Sequence, residues 1–99
     1  MAQAEIVFAP QNNAGTALVL DDPNRPPVFV LLDTAGTARD AGGRQGLDAR
    51  ILPVDADVYV YVGPDDDTPS AANAIRVRQD DDYTVSILSK TTRIKIAAA

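Results

Sequence analysis

Two runs of three carboxylates, Asp65-Asp66-Asp67 and Asp80-Asp81-Asp82, are the residues with the most obvious chemistry in this chain. Hard cations such as calcium take several oxygen ligands, so two such loops could converge on one ion. The spacing argues against it. An ion loop intersperses its ligands with Gly or Asn to wrap the cation, whereas adjacent Asp on an extended backbone splay apart. Solvated turns and no bound metal are therefore expected. Asp55 and Asp57 form the one pair with a useful i, i+2 geometry, and they read as strand-end caps. Glycoside hydrolysis needs two carboxylates about 5–10 Å apart across a cleft, one with its pKa raised by burial. These Asp lie in polar turns with no aromatic platform beside them. Gly36, Gly42, Gly43 and Gly46 share one loop but follow no phosphate-cradling spacing.

His, Cys and Trp are absent altogether. Imidazole and thiolate are the usual general bases, covalent nucleophiles and transition-metal ligands at neutral pH, so most catalytic constellations are excluded. The expectation is a non-enzymatic protein without a cofactor that works by binding.

Nine basic residues against fourteen acidic ones give a net charge of −5, and thirteen of the acids are Asp. Such a surface repels phosphate backbones and anionic membranes, so neither nucleic acid nor membrane is an expected partner. No apolar run approaches the roughly 18 residues of a spanning helix. The opening segment carries Glu5 in place of a basic leader, so synthesis in a cytoplasm is expected without a signal peptide or anchor. The 99 residues make one domain, with 1–10 readable as an extended N-terminal arm. Its core must be thin and built from Val, Ile, Leu and Ala.

The elements that position these groups read as strands throughout. Glu5 to Ala9, Thr16 to Leu20 and Val28 to Leu32 are β-rich and separated by turn-forming runs at 10–15 and 21–27. Residues 33–48 read as a long Gly-rich loop, suited to a contact arm that orders against a partner. Asp48 to Leu52 and Asp57 to Val62 follow. Ala74 to Arg78, Tyr83 to Leu88 and Thr92 to Ile96 each alternate apolar with polar residues, as half-buried antiparallel strands do. Their connections are of hairpin length, so a three-strand meander is expected. The whole reads as an all-β fold, an antiparallel β-sandwich or jelly-roll-like domain of seven to eight short strands.

Two features point to an interface. Tyr59 and Tyr61 share one face of their strand while Val58, Val60 and Val62 share the other, and both faces cannot enter one narrow core. Val28 to Leu32 is apolar on both sides, as if one side met the sandwich and the other a neighbouring molecule. Contacts are accordingly expected at Tyr59 and Tyr61, at Ile6 and Phe8 on an N-terminal arm adding to a neighbour's sheet, and at Arg39 and Arg44 in the long loop.

The C-terminal half, from Asp57-Val58-Tyr59-Val60-Tyr61-Val62-Gly63 through Ile75 to Arg78, the Asp turn, Tyr83 to Leu88 and Thr92 to Ile96, resembles small β-sandwich structural proteins of tailed bacteriophage virions. The resemblance is one of pattern. It implies a capsid decoration or cement protein, located in the virion, that binds the major capsid protein as a homo-oligomer, with a trimer favoured. A head-to-tail or tail component would need the same fold and surface. An immunoglobulin-like bacterial surface module is the remaining alternative.

Overall fold

A computed structural model describes residues 3–12, 14–15, 17–34, 38–42 and 46–99. The described residues form eight strands and two sheets: β1 (Gln3–Ala9), β2 (Val28–Asp33), β3 (Arg39–Asp40), β4 (Asp48–Pro53), β5 (Val58–Gly63), β6 (Ile75–Val77), β7 (Tyr83–Ser86) and β8 (Arg93–Ala98). One sheet runs β2-β1-β4-β7 and the other β3-β8-β5-β6, with every pairing antiparallel. The fold is thus the all-β sandwich that the alternation predicts.

The connectivity is that of a rolled-up hairpin. β5 pairs with β6, β4 with β7 and β3 with β8, and these nested pairs fall alternately in the two sheets. This is jelly-roll winding. β1 lies between β2 and β4, which leaves β2, β7, β3 and β6 as the four sheet ends.

The alternation of each strand decides what enters the core. Ala4, Ile6 and Phe8 of β1, Ala49 and Ile51 of β4, Val58 and Val60 of β5, and Ile94 and Ile96 of β8 all point between the sheets. Ile87, just beyond β7, completes them. Fully burying side chains of this size stabilises by about 1.5–3 kcal/mol each, and no polar side chain among the described residues is buried with them.

Four expectations are corrected here. The N-terminal segment is not an arm but an interior strand, hydrogen-bonded on both sides and carrying Ile6 and Phe8 at 1% and 2% exposure. Alternation tells which face a side chain occupies but not how many strands flank it. Next, β6, β7 and β8 form no meander, because each pairs elsewhere and the chain changes sheets between them. A connection that spans the roughly 10 Å between packed sheets can be as short as a hairpin turn. The expected strand over Thr16 to Leu20 reduces, among its described residues, to a single bridge between Gln11 and Leu18. Ile75, read as a core residue, is exposed because β6 is a three-residue strand at the end of its sheet.

The long Gly-rich loop is also part of the body wherever it is described. β3 lies within it and pairs with β8, the Ala41 N–H donates to the Thr92 carbonyl at 2.9 Å, and Ala38 and Ala41 are buried. The Gly46 N–H donates to the Ile87 carbonyl at 2.8 Å, with Gly46 in the left-handed region at φ +91°. Gly42 is packed so closely on the backbone of Lys90 that a Cβ there would overlap the Lys90 carbonyl. These bonds fix the described parts of the loop against the β7–β8 connection without help from another molecule.

Candidate interaction surface

The outward faces of the two sheets differ in kind. On the β3-β8-β5-β6 sheet the strand register sets Tyr59 between Arg76 and Ala97, and Tyr61 beside Lys95. Tyr61 is only 8% exposed. Gly63 turns the chain back over its ring, and the Asp65 N–H donates to the Tyr61 Oη at 3.2 Å. Asp66 then clamps this loop from two sides. One of its carboxylate oxygens accepts the Ala38 N–H at 2.8 Å and is 3.1 Å from the Lys95 Nζ. The Arg93 Nη2 donates to the Ala38 carbonyl at 3.2 Å, which ties the 33–48 connection into the same lattice.

Asp66 of the first run, and Asp57 before it, therefore act as fasteners. Hydrogen bonds from the Ala38 N–H and then from Lys95 hold the Asp66 carboxyl below its ordinary value, and Asp57 is lowered by the Gln79 N–H and by Arg76. Asp57 spans the two at 2.9 Å each, and Asp55 accepts the Gln3 N–H at 3.0 Å. These are the strand-end caps that the i, i+2 spacing predicts. Asp82 approaches Arg50 at 3.5 Å. Among the described residues no three acidic side chains converge on a point that could hold a metal ion.

A depressed carboxyl pKa supports the folded state above the unfolded value and loses that support as the pH falls through the folded one. Asp66→Asn is accordingly expected to lower the Tm at pH 7. The gap to wild type should close on acidification past the ordinary value of 3.8 and through the lower folded value. Thermal melts of both proteins across that range check this, and a gap of constant size would show that the clamp does not act through charge.

The outward face of the β2-β1-β4-β7 sheet is apolar where it should be wettest. Val28, Val30 and Leu32 of β2 turn inward to the core. Phe29 and Leu31 turn outward and stand 67% and 54% exposed. The register continues them across the sheet in two rows, Phe29-Val7-Arg50-Thr84 and Leu31-Glu5-Leu52. Each row holds one charged residue, of opposite sign in the two. Single exposed apolar residues are common, but here they are consecutive outward positions of a regular strand at a sheet end.

The expected contact residues are thus dispersed. Ile6 and Phe8 are core residues, and Tyr61 is sealed by its own chain because the loop after Gly63 folds back, which periodicity does not encode. Tyr59 is half-buried on the outer face of its sheet, Arg39 is exposed on β3 at the end of that same sheet, and Arg44 lies outside the described residues. Phe29 and Leu31, absent from that set, form the patch. Their signal in the sequence is the run Val28 to Leu32, apolar on both sides.

The chain is thus an antiparallel β-sandwich whose β2-β1-β4-β7 sheet carries exposed apolar side chains, Phe29 and Leu31, on its outward face. Compared with known proteins, the chain matches no family model, no curated protein and no solved structure.

Proposed function

We propose that the protein is a non-enzymatic assembly subunit, a bacteriophage capsid decoration or cement protein that works as a homo-oligomer on the major capsid protein. The observation that carries the reading is the exposure of Phe29 and Leu31 on a regular strand of a domain with a thin core. Covering apolar surface stabilises by about 25 cal/mol per Å², so a patch of this kind favours association. Binding to the folded subunit alone then stabilises it further by mass action. The virion setting is supported by the resemblance of residues 57–96 to such proteins in strand pattern. A position at the head-to-tail junction or in the tail would use the same surface.

The test is co-sedimentation of the purified protein with empty phage shells, followed by thermal disruption of the pelleted particles. Saturable pelleting and a higher disruption temperature are expected. Protein that stays in the supernatant at every ratio removes the decoration role.

A further inference from the structure

β2 ends its sheet, and among the described residues no loop backbone hydrogen-bonds to residues 28–32. An edge strand of this length is normally protected by a Lys, a central Pro or a bulge. β2 reads Val-Phe-Val-Leu-Leu-Asp, and its pairing with β1 runs without a break in register, so its interior has none of the three.

The geometry points to a second copy of this chain as the occupant, its β2 pairing antiparallel with this one about a two-fold axis at Val30. This rests on the reading that the protein works by association, and it replaces the three-fold ring implied by the resemblance with a closed pair. The sequence of β2 is self-complementary in that register. Phe29 falls opposite Leu31 of the second copy on the outer face, and Leu31 opposite Phe29. Val28 meets Leu32 on the inner face, so the two cores become continuous.

Charge selects the orientation. Asp33 at one end of β2 would lie opposite Pro27 of the second copy and diagonal to its Arg25, within reach of a long side chain. Arg25 keeps 55% of its side chain exposed even while it contacts Asp22. Opposite charges thus meet at both ends of the paired strands, whereas a parallel arrangement would set Asp33 beside its own copy. Residues 28–32 carry no charge at all, so the two molecules of charge −5 meet along neutral segments.

Sedimentation equilibrium between about 1 and about 500 µM tests this. A monomer–dimer equilibrium is expected for the wild type, and the Phe29→Lys/Leu31→Lys variant should stay monomeric throughout. Leu31→Lys alone, should the double variant misfold, is expected to weaken the dimer at least tenfold. Leu88→Lys, which charges another exposed apolar residue away from β2, should leave it intact. Asp33→Arg should weaken the dimer, and adding Arg25→Asp should restore it. A wild type that is monomeric over the whole range, a three-fold mass, a dimer that survives the β2 lysines, or a charge reversal without rescue overturns the inference. Shell binding is read separately. A dimer that ignores shells keeps this inference and removes the virion role, and a monomer that binds shells does the reverse.

Discussion

Phe8→Ala is expected to remove about 3–5 kcal/mol of folding free energy, the usual loss when a buried aromatic leaves a cavity it cannot refill. Phe8 faces the opposite sheet from near the end of β1, which is paired on both sides there, so neither neighbour can collapse into the space. Domains of this size have about 5–15 kcal/mol in total, so the variant should melt well below wild type. Urea denaturation at 25 °C measures the loss. The contrast is Phe29→Ala, one strand away and facing outward, which should change monomer stability by no more than about 0.5 kcal/mol. If Phe8→Ala unfolded with the wild-type midpoint, the N-terminal strand would be a detachable arm after all.

Gly42→Ala is expected to destabilise by about 1–3 kcal/mol through overpacking. The added methyl meets the Lys90 carbonyl, and backbone held between two strands cannot step aside. The N-H of Gly42 also donates to Asp40 at 2.9 Å, so a shift of Gly42 strains the end of β3 as well. Gly63→Ala is the informative comparison. Its Cβ would press on the hydroxyl end of the Tyr61 side chain and not on backbone, and a smaller loss is expected there. Equal losses at the two positions, measured by denaturation, would mean that the β7–β8 connection yields to Gly42 as readily as a side chain does.

Alternation made much of the fold legible. Val58, Val60 and Val62 against Tyr59 and Tyr61, and Ile94 and Ile96 against Arg93 and Lys95, assign core and outer faces because side chains on a strand project with a period of two. Pairing partners are not encoded that way. Ile6 and Phe8 alternate with Glu5 and Val7 as they would on an edge strand, and the central position of β1 emerges only from its two sets of hydrogen bonds. β3 was invisible for a different reason: Arg39 and Asp40 carry no apolar signal, and backbone bonds to β8 alone make them a strand.

The candidate surface was legible in part. Val28 to Leu32 announces an uncovered side by being apolar at odd and even positions alike, and the structure puts Phe29 and Leu31 on that side. Tyr61 misleads because a hydroxyl that suits an interface also suits the N–H of a nearby loop, as at Asp65. Which of the two it meets depends on where the loop after Gly63 travels, a tertiary matter that no local pattern fixes.

The first and last described residues, Gln3 and Ala99, are fastened to one place. The Val54 N–H donates to the Gln3 carbonyl and the Ala99 N–H to the Asp57 carbonyl, so β1 begins and β8 finishes beside the same β4–β5 crossing. Followed from β2 round to β8 and on into β1, the spiral of strands keeps the same winding through that corner. Gln3 and Ala99 therefore lie at one corner of the molecule, with the Asp33 tip of β2 paired beside Gln3.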